Sequence, residues 1–99
     1  MPKIELNIDD LMSEKVELGD FLASPNAYSD PDFTRKNKRF TELEGIIEKA
    51  QLRDTLEGQL IEAKELASGS DELADLAKAE VSDTEAKLAE IEEDLFVML

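Results

Sequence analysis

Residues 60–81, LIEAKELASGSDELADLAKAEV, decide the fold, because they contain the end of one helical pattern, a short polar turn and the start of another. The pair Ser68-Gly69 is typical of a helix C-terminus, where glycine is common just beyond the last turn. The stretch Ser70-Asp71-Glu72 is typical of the N-cap and acidic first turn of a following helix. A break this short turns the chain back on itself and predicts an antiparallel helical hairpin.

The segment after the turn predicts a third helix over about 71–98. Its apolar and small residues recur at spacings of three and four, as in the seam of a coiled coil, which is the line of residues on one helix that faces another. The short turn makes the second helix its partner. The predicted seam consists of Leu73, Ala77, Val81, Thr84, Leu88, Ile91, Leu95 and Met98.

The segment before the turn predicts a second helix over about 31–67. Proline is favoured at the first helical position, and Asp30 precedes Pro31 as the expected N-cap. Gly45 and Gly58 lie inside this helix, so we expect a bend or a close approach of another helix at one of them. The predicted apolar stripe consists of Phe40, Leu43, Ile47, Ala50, Leu52, Leu56, Leu60, Ala63 and Ala67.

A first helix is predicted over about 8–23, between Asn7 as N-cap and Ser24-Pro25-Asn26 as the stop. Because the third helix is shorter than the second, the first turns of the second helix remain uncovered, and the first helix has the length to cover them. Tyr28, in the connecting loop, either packs over this corner or is a recognition residue, and we expect the packing role. The prediction is an all-α single domain over 1–99: a long, coiled-coil-like antiparallel helical hairpin with a shorter N-terminal helix packed at its base.

Composition narrows the classes of function. Charged residues make up 36% and aromatic residues 5% of the 99 residues, and the net charge is −14. The absence of cysteine and histidine excludes disulfides, thiol nucleophiles, common zinc sites and imidazole catalysis, and it fits a reducing, cytoplasmic setting. No stretch approaches the ~20 apolar residues of a membrane span, and no signal peptide is recognisable. For that reason we expect no membrane partner. So acidic a surface also repels free nucleic acid, so we expect the partner to be a protein or a basic surface.

The carboxylates do not indicate catalysis. Pairs such as Glu44 and Glu48 arise by chance among 25 acidic residues and lie on solvated helix faces. No glycine-rich phosphate loop occurs, and Asp30-Pro31-Asp32 lacks the later ligands of a calcium loop. The chain is therefore predicted not to be an enzyme, with no catalytic residue, cofactor, metal or small-molecule substrate.

One basic segment interrupts the acidic sequence. Residues 33–39 contain four bases and no acid. Such a cluster either meets ribosomal RNA or an acidic protein, or it is simply a soluble helix surface. Its members are Arg35, Lys36, Lys38 and Arg39.

The sequence ends in EEDLFVML, with five consecutive apolar residues and no capping glycine or lysine. An uncapped apolar end is a binding surface or an aggregation liability. The residues concerned are Leu95, Phe96, Val97, Met98 and Leu99.

Three stretches in order, FLASPNAYSDPDFTRKNKRFTELEGIIEKAQ, LIEAKELASGSDELADLAKAEV and EEDLFVML, resemble the N-terminal helical domain of bacterial class I peptide chain release factors. The resemblance extends from Leu11 to Leu99 and is greatest to type 1. Members often carry proline where this chain has Gly45, so where the family has a helix break we expect only a bend here.

The resemblance implies a role in stop-codon-dependent translation termination on the ribosome. In that family, this domain reaches the GTPase-associated region of the large subunit, near the stalk-base protein L11 and its rRNA. It is also involved in interplay with the class II release-factor GTPase. Our hypothesis is then that the basic cluster contacts ribosomal RNA or an acidic protein of the ribosome.

The resemblance also implies that the chain is a fragment. The decoding segment and the Gly-Gly-Gln loop of such factors are absent, since no Gly-Gly dipeptide occurs. The end from Leu95 to Leu99 would then be the junction to the next domain.

Two other classes remain open. One is a free-standing acidic coiled-coil adaptor or structural protein that homodimerises through its apolar C-terminal end. The other is a small helical enzyme, for which the residues suggest no nucleophile or metal site.

Overall fold

The chain forms three α-helices in a computed structural model that describes residues 3–99. Residues 1 and 2 of the predicted domain lie outside the described residues. Helix α1 is Ile8–Leu22, α2 is Phe33–Ala67 and α3 is Glu72–Met98, with a 3₁₀ turn at Ala27–Ser29 between α1 and α2. No strand occurs in residues 3–99, so the all-α prediction is confirmed.

Helices α2 and α3 form an elongated antiparallel hairpin. Gly45 approaches Met98, Lys49 pairs with Asp94, and the residue numbers run in opposite directions along the interface. The 35 residues of α2 and the 27 of α3 correspond to ~52 and ~40 Å of helix. The molecule measures 65 × 22 × 17 Å, which confirms the predicted long hairpin.

The seam of α3 matches the prediction except at its start. Leu73 is exposed, and Ala74 takes the inner position instead. The reason is the spacing: stepping back from Ala77 by three gives Ala74 and keeps the alternation of three and four unbroken, whereas Leu73 would require two successive steps of four. The prediction of Leu73 as a seam residue relied on its apolar side chain and was wrong.

The stripe of α2 contains a second error of the same kind. Leu52 is predicted to be inside but is substantially exposed, and Arg53 is buried, with 5% of its surface accessible. Position 53 is three residues from both Ala50 and Leu56, so it lies between them on the inner side of the helix, whereas position 52 is turned away by about 100°. Helical phase therefore places an arginine in the interface.

Helix α1 packs against the N-terminal part of α2, at the open end of the hairpin. Asn7 is its N-cap, with its side-chain oxygen accepting from the backbone N–H of Asp10 at 3.1 Å. Gly19 lies against Phe40, where an added Cβ would be 3.4 Å from the ring. The shorter helix at the base of the hairpin is confirmed.

Three details of the loops and helix ends differ from the sequence prediction. Helix α2 begins at Phe33 rather than 31, because the Asp30 carboxylate and carbonyl accept from the backbone N–H groups of Asp32 and Phe33 and hold a turn ahead of it. Helix α3 begins after Asp71, whose carboxylate accepts from the N–H of Ala74 at 3.0 Å. Tyr28 stacks on Phe33 but is almost fully exposed, so it does not pack over the corner.

The two glycines inside α2 differ in their surroundings, and this predicts different effects of alanine substitution. A Cβ at Gly45 would lie 2.8 Å from the Met98 methyl group, whereas a Cβ at Gly58 meets no atom of the described part of the chain within 4 Å. G58A is therefore expected to raise the free energy of unfolding by about 0.5–1 kcal/mol through helix propensity. G45A should gain less, because Met98 must move. Urea denaturation of both variants checks this, and equal gains would contradict it.

Candidate interaction surfaces

The basic cluster is divided between two environments. Lys36 and Arg39 face α1: the Lys36 ammonium lies 3.9 Å from the centre of the Phe21 ring, and Arg39 donates two hydrogen bonds to the Glu14 carboxylate at 2.7 and 3.0 Å. The Arg39 hydrogen bond lowers the pKa of Glu14 despite the opposing effect of burial. These two bases fasten α1 to α2.

The other two bases are exposed to solvent, and we call them the outward bases. Arg35 is mostly exposed, and its distance to the Asp32 carboxylate is 3.5 Å. Lys38 is exposed and forms no ion pair within the described part of the chain. Arg35 and Lys38 are thus the members of the cluster that can meet another molecule, and sequence spacing alone did not separate them from Lys36 and Arg39.

The apolar C-terminal end is divided as well. Leu95 is fully buried and Met98 is half-buried against α2. Phe96 and Val97 are 66% and 83% exposed, and Leu99 is also exposed. Part of the predicted junction is therefore hairpin core, and the rest is an uncovered apolar surface.

An N-terminal arm, residues 3–6, lies across the hairpin, which the sequence analysis missed. The Ile4 N–H donates to one Glu92 carboxylate oxygen at 2.9 Å. A terminal nitrogen of Arg53 donates to the Ile4 carbonyl at 2.8 Å and to the other Glu92 oxygen at 2.7 Å. Both backbone groups of Ile4 are thereby held by one ion pair that joins α2 to α3.

Side chains of the N-terminal arm complete the core. Ile4 and Leu6 pack against a buried cluster drawn from both long helices. That cluster consists of Ile46, Leu56, Ile91 and Leu95. The arm therefore closes one side of the hairpin with apolar contacts around the ion pair. The only sequence feature that could have indicated this arm was Arg53, an arginine on the same side of α2 as Ala50 and Leu56.

The contacts among Ile4, Arg53 and Glu92, which we call the clamp, favour the ionised form of Glu92. Burial on its own would raise the pKa of Glu92, but hydrogen bonds from the Ile4 backbone and from Arg53 outweigh it and leave the pKa lowered. Among residues 3–99 the Arg53 Nε is buried without a hydrogen-bond partner, and the Glu57 carboxylate is 3.8 Å away, too far for a hydrogen bond. The arginine is thus held through one terminal nitrogen that serves two acceptors.

Residues 11–99 match the model of a protein family described as the PCRF domain. This chain belongs to the PCRF domain family. It is 36% identical over 84 residues to the peptide chain release factor 1 of Sulfurovum sp. (strain NBC37-1), with 84% of this chain and 23% of that protein aligned. No significant match is found among solved structures. The predicted resemblance to the N-terminal domain of class I release factors, most like type 1, is confirmed.

The PCRF domain spans about a quarter of the length of that relative. Within residues 3–99 it contains no group of three or more histidine, cysteine or acidic side chains arranged to hold a metal ion. None of its helices in this range combines the length and the apolar composition that crossing a bilayer requires. Its distinctive surfaces are the outward bases of α2 and the uncovered apolar end of α3.

Proposed function

We propose that this PCRF domain is the N-terminal part of a class I release factor and acts in stop-codon-dependent translation termination on the ribosome, in the cytoplasm. The observation that carries the proposal is the match of residues 11–99 to the PCRF domain, together with the likeness to a peptide chain release factor 1. The domain's own part is positioning rather than chemistry, because a stiff helical arm suits placement of a larger factor.

The rest of such a factor would supply stop-codon recognition and the Gly-Gly-Gln loop. Phe96, Val97 and Leu99 are exposed at the end of α3, where a following domain could cover them. Sequencing the native reading frame beyond Leu99 tests this. A continuation that includes Gly-Gly-Gln supports a release-factor arm, and a stop codon directly after Leu99 contradicts it.

The partner surface in this proposal is the GTPase-associated region of the large subunit, near the stalk-base protein L11 and its rRNA. Arg35 and Lys38 are the outward bases that could meet rRNA phosphates, while Lys36 and Arg39 hold α1. The same arm would take part in the interplay with the class II release-factor GTPase. Both roles need an elongated, rigid body, and the molecule is 65 Å long and at most 22 Å across.

Charge reversal of the outward bases is the sharpest test of this contact. The double variant R35E/K38E is expected to weaken binding of the chain to purified ribosomes by about tenfold. It should also reduce the slope of the logarithm of the binding constant against the logarithm of the salt concentration by about 2. Co-sedimentation with ribosomes over a salt series measures both quantities. The matched control is K64E/K78E, which changes the net charge equally at exposed positions. Equal losses for both pairs, or none for R35E/K38E, would contradict the contact.

A free-standing adaptor that homodimerises is the second candidate. The exposed Phe96, Val97 and Leu99 favour it, because an apolar surface on an isolated chain can be covered by a second copy. Analytical ultracentrifugation separates the two candidates. A tight dimer that dissociates when Phe96 and Val97 are replaced by serine would favour the adaptor.

A further inference from the structure

Three leucines at the closed end of the hairpin are exposed, whereas farther along the hairpin Ile46, Leu56, Ile91 and Leu95 are buried between the helices. Leu66 is 56%, Leu73 is 62% and Leu76 is 70% exposed. Here the two helices meet through small side chains instead. Each leucine directly precedes one of these inward alanines, in the pairs Leu66-Ala67, Leu73-Ala74 and Leu76-Ala77.

The three leucines lie on one side of the hairpin. One residue corresponds to a rotation of about 100° around a helix, so each leucine is displaced in the same rotational direction from its inward neighbour. Two antiparallel helices are related by a twofold axis that is perpendicular to the plane containing both helix axes. Rotation about this axis exchanges the helices but leaves each residue on its own side of the plane. Equal displacements on the two helices therefore lead to the same side of the hairpin. Leu66, Leu73 and Leu76 therefore form one surface, which we call the leucine face.

Acidic side chains border the leucine face. Glu62 precedes Leu66 by one helical turn, and Glu80 follows Leu76 by one turn, so both lie along the same side. Lys64 and Lys78 instead each follow an inward alanine by one position, which places them on the opposite side. The leucine face is thus apolar with a negative border and no nearby lysine of its own helices.

These charges decide among the possible occupants. A second copy would bring Glu62 and Glu80 against the same acids, and RNA would bring phosphates against them, so both are repelled. A protein segment with apolar side chains flanked by lysine or arginine complements the face in both respects. We propose that the leucine face docks a basic amphipathic segment of a ribosomal protein, an inference that rests on the proposed function.

Photo-crosslinking on purified ribosomes tests the proposal with the 99-residue chain. A photoreactive amino acid at position 73 or 76 is expected to crosslink to a basic ribosomal protein. The control position is Ile61, which is exposed but lies on the side of α2 away from α3, and it should give no such product. A crosslink only to rRNA, a crosslink only to a second copy, or equal products from position 61 would overturn the docking proposal.

Substitutions give an independent measurement. L73Q/L76Q is expected to weaken ribosome binding by about tenfold or more, since two leucines lose their buried contacts, while I61Q stays within about twofold. E62Q/E80Q should also weaken binding to a basic segment, whereas it would strengthen binding to RNA. Circular dichroism of each variant shows that the helices persist. Unchanged binding by L73Q/L76Q, or stronger binding by E62Q/E80Q, would overturn the proposal.

Co-sedimentation of the unmodified chain separates failure of this inference from failure of the proposed function. If the unmodified chain does not bind ribosomes at all, the proposed function fails. If it binds ribosomes but gives no crosslink from positions 73 and 76, only the leucine face is wrong.

Discussion

Replacing Arg53 by methionine is expected to lower the free energy of unfolding by about 3 kcal/mol. Arg53 is buried and is the donor to both the Ile4 carbonyl and the Glu92 carboxylate. Methionine fills similar space but donates nothing, so a partly buried carboxylate and a backbone carbonyl lose their partner. Removing one member of a buried ion pair is costly because the remaining charge stays in a poorly solvated place.

Urea denaturation measures this loss, and Lys49→Met is the matched control. Lys49 also lies on α2 and pairs with a carboxylate of α3, Asp94, at 2.9 Å, but both side chains are more than one-third exposed. An exposed pair of this kind contributes about 0.2–1 kcal/mol, so the control should lose little. Comparable losses for R53M and K49M would show that the N-terminal arm and its clamp contribute nothing beyond an ordinary surface pair.

The partner residue gives the same prediction a pH dependence. Because the folded state lowers the pKa of Glu92, its ionised form contributes stability above the pKa of an unfolded glutamate, about 4.3. That contribution is lost as the pH falls through the lower pKa of the folded protein. The difference in the free energy of unfolding between wild type and E92Q should therefore be largest at pH 7. It should vanish in acid, where Glu92 is protonated. A difference independent of pH would contradict the ionised clamp.

The fold was predictable because its signals are local and repeated. The polar turn at 68–71 and the spacing of three and four in α3 specify two antiparallel helices without long-range information. The errors at Leu73 and Leu52 share one cause: an apolar residue one position from the regular spacing was preferred to the alanine or arginine that holds the phase. Helical phase was more reliable there than side-chain hydrophobicity.

The clamp and the leucine face were not predictable in this way. The N-terminal arm is extended and precedes the first helix, so no periodicity connects Ile4 to Arg53 and Glu92, which lie 49 and 88 residues away. Similarly, the basic cluster had no sequence feature to separate Arg35 and Lys38 from the bases that hold α1. Contacts between elements, rather than patterns within one element, decide these surfaces.

Replacing Leu95 by alanine is expected to lower the free energy of unfolding by about 2–3 kcal/mol. Leu95 is fully buried in the cluster with Ile46, Leu56 and Ile91, so the substitution leaves a cavity between the long helices. Phe96→Ala at the next position removes a larger side chain that is 66% exposed, and it should change stability by no more than about 0.5 kcal/mol. Thermal or urea denaturation of the two variants measures the contrast.

The same two variants also test whether the end of α3 is a junction to a following domain, when their stabilities are measured in a chain that extends beyond Leu99. If a following domain covers the end of α3, Phe96→Ala becomes destabilising there, because the phenylalanine then loses buried contacts, while the cost of Leu95→Ala stays the same. If Phe96→Ala remains neutral in the longer chain, no domain packs on this end. If Leu95→Ala is neutral in the 99-residue chain, the C-terminal turns of α3 do not pack as the core does. Phe96 thus reports on what lies beyond the hairpin, and Leu95 reports on the hairpin itself.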